Sequence, residues 1–240
     1  MKNDLQKDIF GQTSDQTITK ITAGLKDPNR ANIFLDGRFA FSLDIAQVVD
    51  LGVKVGQKIG NERLRELQGA SEFGKLYQRT LEWALARPRS VNETNDYLQL
   101  RKRRRSALNW QRERDGKKPL PELQEDTMNL VLERLIEKGY VDDEKFAQYF
   151  VENRRLRKGI SPRRLKMELQ KKGIRDGLIK QATDSIGRTE EEEILKVIRK
   201  KRRKYDDNKL VAYLVRQGFD LYKSRDAVEH YDPEGDLPCF

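Results

Sequence analysis

The sequence predicts a mainly α protein built of tandem three-helix repeats in an extended curved array, preceded by a small N-terminal β-hairpin or meander segment. Three observations carry that expectation. First, residues 130–174 give three helix signals in succession, ending before Gly139, Gly159 and Gly173, of which Gly139 and Gly173 are suited to the left-handed position that closes a helix. Second, Leu165, Leu169, Gly173 and Ile174 recur with the same spacings as Leu210, Leu214, Gly218 and Phe219, the signature of a stacked repeat. Third, the 240 residues are 36% hydrophobic and 37% charged. That mixture suits thin helical layers that bury one face against a neighbour better than it suits one thick globule.

Taken in order, residues 1–16 are polar and unpatterned, a leader. Residues 17–70 form a β-containing segment. ITKITAGL alternates, and Asp36-Gly37 between ANIFL and RFAFSL marks a hairpin, because both central residues of such a turn need positive φ. Asp44 caps a short helix stopped by Gly52, and VKVGQKI makes another turn. One helix is expected from Gly60 or Asn61 and a second from Ser71, where Phe73, Leu76, Tyr77, Thr80, Leu81, Ala84 and Leu85 recur at helical spacing. RPRS breaks that helix, and Ser90 with Glu93 makes a capping box for the next.

The first repeat, 71–141, is interrupted at about 99–121 by QLRKRRRSALNWQRERDGKKPLPE. Arg101, Arg103, Arg104 and Arg105 beside Trp110 suit phosphate contact and base stacking. The other reading is a helix extension whose tryptophan packs onto the repeat while its arginines are solvated. Both stay open at this stage. The second repeat, 142–188, opens on a cap at Asp142 or Asp143 and an apolar stripe of Phe146, Tyr149, Phe150 and Val151. It continues through Ser161-Pro162, cap and first helical position, and ends on a helix capped by Asp176. The third, 189–231, begins with four acids after Thr189 and carries bases from Arg199 to Lys204, both matched to the helix dipole. Residues 232–240 are an acidic tail.

The net charge of +10 is unevenly placed, since residues 1–72 hold 10 basic and 10 acidic side chains and the whole excess follows them. A basic helical part implies a polyanion or an acidic protein groove as partner. The single cysteine, Cys239, excludes an internal disulfide, and no apolar run approaches the ~20 residues of a membrane span, so a cytoplasmic protein is expected. One histidine, one cysteine and no glycine-rich phosphate loop leave no metal, nucleotide or nucleophile signature. The expectation is a binding protein without cofactor, not an enzyme.

GYVDDEKFA followed by NRRLRKGISPRRLKMELQKKGI resembles the middle repeat of the RecX family, bacterial regulators of the RecA recombinase. The matching positions are Gly139, Tyr140, Asp142, Asp143, Phe146, Ala147, Arg154, Gly159, Pro162, Leu165, Glu168, Leu169 and Gly173. The resemblance implies a monomer that docks on the RecA filament, lowers its ATP turnover and strand exchange, and so modulates homologous recombination and the SOS response. Candidate contacts are Arg154, Arg155, Arg157, Lys158, Arg163, Arg164, Lys171 and Lys172, which flank one helix junction. The run Arg101, Arg103, Arg104, Arg105 with Trp110, and the run Arg199, Lys200, Arg202, Arg203, are candidate nucleic-acid contacts. The alternative function is a stand-alone single-stranded nucleic-acid-binding protein, and a helical scaffold for another acidic protein is a third class.

Overall fold

The computed structural model describes residues 15–232 apart from 26, 158, 186 and 188, and only the backbone of 155–157. Most of the leader expected at 1–16, and the tail from 233, lie outside the described residues. The fold is mainly α with an N-terminal antiparallel sheet, the predicted class. It divides into two compact bodies, one of residues up to Glu82 with Arg101–Glu133, the other of Trp83–Leu100 with the chain from Arg134 onward.

In the first body, strands β1 (Gln16–Ala23), β2 (Arg30–Leu35), β3 (Arg38–Asp44) and β4 (Lys58–Ile59) form one antiparallel sheet in the order β3-β2-β1-β4. The turn read from Asp36-Gly37 is there, with φ of 48° and 81°. Ile18, Ile33, Leu43 and Leu67 fill the core on one side of the sheet. The buried Arg30 guanidinium is neutralised by Asp44 at 2.6 Å and hydrogen-bonded to the Ser42 carbonyl at 2.7 Å. Helix α1 (Ile45–Asp50) starts at Asp44, whose N–H donates to the Gln47 side chain, and stops before Gly52, φ 60°.

Helix α2 (Asn61–Leu85) runs unbroken through Ser71, where two helices were expected. Small residues at this point let the helix lie close on its support. Ser71 Oγ donates to the Ser42 carbonyl at 2.6 Å and Gln47 Nε2 to the Ala70 carbonyl at 2.9 Å. A Cβ at Gly74 would stand 2.6 Å from the Asp44 carboxylate.

The insertion is resolved as a helix extension. Helix α3 (Val91–Arg114) continues through Arg101–Arg105 and ends at Gly116, φ 68°. The chain then returns along it, held by Asn109, which donates to the Leu120 carbonyl and accepts the Leu120 N–H, both at 2.8 Å. Trp110 does not pack inward: it is 63% exposed, with Arg114 4.8 Å over its ring. Arg105, read as solvated, instead reaches the Pro121 carbonyl at 2.6 Å and Glu72 at 3.5 Å. The helix-extension reading thus holds for the helix and not for its inward-packed tryptophan.

Helix α4 (Glu125–Glu137) ends at Gly139, φ 69°. Helices α5 (Asp143–Arg157), α6 (Pro162–Lys171) and α7 (Asp176–Asp184) surround a core of Phe146, Val151, Ile160, Leu165, Leu169 and Ile179. Helices α8 (Glu190–Lys201), α9 (Asp207–Arg216) and α10 (Leu221–Glu229) surround Ile194, Ile198, Leu210, Leu214, Phe219 and Val228. Asp142 caps α5, accepting from the N–H groups of Glu144 and Lys145. Asp176 is not the cap of α7; Arg175 is, without a side-chain bond, while Asp176 pairs with Lys166 at 3.1 Å and Gln170 at 2.8 Å. Gly173 and Gly218 have φ of 81° and 90°.

Candidate partner-binding surface at the repeat junctions

Two junctions in the second body are built to one plan. In the first, the N-cap Ser90 of α3 accepts the Glu93 N–H at 3.0 Å and donates its own hydroxyl to the carbonyl of Lys172, the C-cap of α6, at 3.1 Å. In the second, the N-cap Ser161 of α6 accepts the Arg164 N–H at 3.2 Å and donates to the carbonyl of Gln217, the C-cap of α9, at 2.7 Å. Both serines are fully buried. The glycine after each accepting residue has no room for a side chain: a Cβ at Gly173 would meet Asn92 Cβ at 2.8 Å, and one at Gly218 would meet Ser161 Oγ at 2.9 Å.

An acid at the start of the following repeat completes each latch. Asp143 of α5 accepts the Val91 N–H at 2.8 Å. The buried Glu193 of α8 accepts the Ile160 N–H at 3.1 Å, with Lys196 on its other oxygen at 2.6 Å. The Val91 N–H is a helix-start donor that needs an outside acceptor, whereas the buried Ile160 N–H lies one residue before the cap of α6.

The side chains around the shared backbone plan differ. Three residues after the serine, the first junction has Glu93, which accepts from Lys172 at 2.7 Å and from Arg87 at 2.9 and 3.3 Å. Burial opposes ionisation of Glu93, but the hydrogen bonds from Arg87 and Lys172 outweigh it and hold its carboxyl below the usual range. The second junction has Arg164 in that place, donating to Gln217 Oε1 at 2.5 Å. Seven residues either side of the serine, the first has Trp83 and Tyr97 stacked at 4.4 Å, with Arg89 3.9 Å over the indole. Burial and then the neighbouring Arg87 lower the pKa of Arg89. The second has the two-pronged ion pair of Arg154 with Glu168, at 2.8 and 3.0 Å, which Arg164 joins at 3.2 Å. The hydrogen bond from Arg154 is the main reason the Glu168 carboxyl titrates low, and it raises Arg154 in turn.

A cleft of about 390 Å³ opens at the second junction, with Arg154, Arg164, Lys200 and Lys201 around it and Ile160, Val197 and Tyr213 as its apolar wall. It joins two of the basic runs singled out in the sequence. Of the remaining predicted contacts in this body, Arg163, Lys171, Arg199 and Arg203 are exposed. Lys172 is committed to Glu93, and Arg202 pairs with Asp207 at 3.1 Å and reaches the Val228 carbonyl at 3.2 Å. The side chains of Arg155 and Arg157, and the whole of Lys158, lie outside the described residues.

Arg101, Arg104 and Arg105 belong to the first body, where with Lys75, Arg79, Leu108 and Leu123 they line a cleft of about 360 Å³. Arg103 is exposed. Sequence reasoning missed Lys75 and Arg79, although Glu72, Lys75 and Arg79 stand at i, i+3 and i+7 on one helix face. It also missed Tyr213 and Gln217, while Lys201 lies within the predicted basic run Arg199 to Lys204. The repeat alignment that equates Gly173 with Gly218 places Gln217 opposite Lys172, and was the signal for that residue.

Two family models match the chain, "Regulatory protein RecX N-terminal domain" over residues 16–60 and "RecX, second three-helix domain" over 142–182. The first spans the sheet and α1, the second α5 to α7. The regulatory protein RecX of Bacillus subtilis is 30% identical over 91% of this chain and 78% of its own length, and that of Bacillus pumilus 30% over 85% and 73%. A crystal structure of a regulatory protein RecX, 20% identical, superposes with a TM-score of 0.62 over 90% of this chain and 98% of the other, so the fold is shared. No described helix is long and apolar enough to cross a membrane. With relatives of this identity matched along most of both lengths, the chain belongs to the RecX family of regulatory proteins.

Proposed function

We propose that this chain is a non-enzymatic regulator, monomeric and cytoplasmic, that binds the RecA recombinase filament and lowers its ATPase and strand exchange, modulating recombinational repair. Membership of a family of regulatory proteins supports the regulatory role. The observation that carries the contact surface is the junction cleft, where Arg154, Arg164, Lys200 and Lys201 gather from two repeats. Four cations on rigid helix ends attract an acidic or polyanionic surface and orient it as well. Arg163, Lys171, Arg199 and Arg203 extend that surface, and Lys172 and Arg202 serve the packing beneath it.

The test is sedimentation of the protein with recombinase filaments and, separately, with bare single-stranded DNA, at two salt concentrations, alongside filament ATPase. Co-sedimentation with filaments and a fall in ATPase are expected. Unchanged ATPase at saturating protein rejects the reading.

A second reading, direct single-stranded DNA binding, is favoured by one feature, the exposed Trp110 beside Arg114 on the helix that carries Arg101, Arg103 and Arg104. An aromatic face next to cations suits base stacking over phosphates. Loss of DNA binding by Trp110→Ala with filament inhibition intact would assign DNA contact to this helix alone.

A further inference from the structure

We propose that the cleft between α2 and the stretch of α3 from Arg101 to Leu108, in the first body, is a second docking site, for an acidic segment of a partner protein that also carries apolar side chains. The cations supply the first part of the argument. Lys75 and Arg79 stand one turn apart on α2, and Arg101 and Arg104 one turn apart on α3, so two basic rows border a space of about 360 Å³. Glu72 is the one acid among the described residues that line it, and it already holds two cations, Lys75 at 3.0 Å and Arg105 at 3.5 Å. The guanidinium groups of Arg79, Arg101 and Arg104 have no ion-pair or hydrogen-bond partner among the described residues. Like charges held on two helices without acids of their own favour an incoming anion, and Glu72 shows how this surface holds a carboxylate.

The walls decide which anion fits. Leu76, Leu108, Leu120 and Leu123 line the cleft, and Leu108 is 43% exposed. The cleft shares Lys75, Arg79 and Leu120 with a groove of about 950 Å³ at the edge strand β3, where Phe39, 59% exposed, and Pro121 add to the apolar lining. The groove's other acid, Glu122, is taken up by Ser106 at 3.1 Å and Asn109 at 2.8 Å. Leucine walls around the unpaired arginines give a nucleobase no ring to stack on, whereas a polypeptide brings acids and apolar side chains within a few residues of one another. A single strand has its platform elsewhere on the same helix. Arg103, Trp110 and Arg114, spaced by seven and four residues, lie on the face of α3 opposite Arg101, Arg104 and Leu108. The site belongs to the first body and the junction surface to the second, and its chemistry does not depend on the partner being the recombinase.

The full-length protein is titrated calorimetrically with a blocked Glu-Glu-Phe-Leu-Glu-Glu peptide, with blocked hexaglutamate and with an oligothymidylate. Wild type should bind the mixed peptide saturably and about five-fold more tightly than hexaglutamate, although it carries fewer charges. Arg101→Glu with Arg104→Glu should weaken the mixed peptide about ten-fold or more. Leu108→Ala should weaken it about three-fold and leave hexaglutamate unchanged. The same charge reversal at exposed positions that do not line the cleft, Lys54→Glu with Lys58→Glu, should cost less than about two-fold.

Absence of saturable peptide binding to wild type overturns the proposal, and so does an equal loss in the cleft variant and the control. Equal affinity of wild type for the two peptides overturns it as well, since the leucine wall would then contribute nothing. Displacement of the bound mixed peptide by the oligothymidylate would make the ligand a nucleic-acid phosphate, and overturns it too. If the double variant does not fold by circular dichroism, Arg79→Glu serves instead, with an expected loss of about three-fold, and no loss there overturns the proposal.

Discussion

The two repeat junctions share a serine latch and a left-handed glycine and differ in their electrostatics. In both, a buried serine ties one helix start to the next repeat's helix end, at 3.1 and 2.7 Å. The first is then filled by a stacked Trp83 and Tyr97 and by the Arg87, Glu93 and Lys172 cluster. The second keeps a cleft with cations around it. The serine latch is therefore common to both junctions, and the side chains three and seven residues from the serine differ between the sealed junction and the one that keeps a cleft.

The strongest way to break the comparison is at the position two before the serine, Pro88 in the first junction and Gly159 in the second. A Cβ on Gly159 would lie 2.2 Å from the Glu193 carbonyl oxygen and 2.7 Å from Val197 Cγ2, and backbone cannot yield as a side-chain end can. Gly159→Ala should cost about 3 kcal/mol in urea unfolding, and Pro88→Ala about 0.5 kcal/mol. Equal costs would show that the second junction is not the tighter of the two at this point.

Removing the shared element should affect both junctions alike. Ser90→Ala and Ser161→Ala each lose a helix cap and an inter-repeat hydrogen bond, about 1–2 kcal/mol apiece. A difference between them above about 1 kcal/mol would mean that the two latches are not energetically equivalent.

The electrostatic difference is sharpened by pH. Glu93 titrates below its ordinary value, near 4.5, when folded. Its contribution is therefore complete above that pH and is lost as pH falls through the lower folded value. Glu93→Gln should cost about 1 kcal/mol at neutral pH, with solvent screening included, and its urea midpoint should converge with wild type in acid. Glu168→Gln should act in the same window, since Arg154 holds that carboxyl low. A cost for Glu93→Gln that persists undiminished in acid would contradict the charge assignment. The smallest effect is expected for Trp110→Ala, within about 0.5 kcal/mol, as for other exposed positions.

Much of the fold was legible because its punctuation is local. Asp36-Gly37, Gly139, Gly173 and the Ser161-Pro162 start each have a conformation that few residues supply, and each is where the sequence places it. The boundary at Ser71 was misread because small residues mark both helix ends and close packing, and only the neighbouring Ser42 carbonyl separates the two. Asp176 illustrates a similar limit: an acid in a first turn satisfies the dipole whether or not it caps. Of the proposed site, the basic residues were visible but their partners were not. Glu93 reads as half of a capping box, yet its carboxylate goes to Arg87 and to Lys172, the latter 79 residues away. No periodicity reports that separation.

One atom distinguishes the cap of the third repeat from the caps of the two junctions. A serine at the junction position works as a two-way connector, because its oxygen accepts from its own helix while its proton goes to the next repeat. The corresponding cap of α9 is Asp206, which accepts the Lys209 N–H at 2.9 Å and pairs with its ammonium at 2.8 Å. Those contacts keep the Asp206 carboxyl below the usual range, the Lys209 side chain foremost, so at neutral pH it has no proton to offer. A fourth layer stacked by the same rule would bring a carbonyl against a carboxylate and be repelled. The third repeat thus changes the cap without losing its own helix start, and gives up the outgoing proton that Ser90 and Ser161 donate.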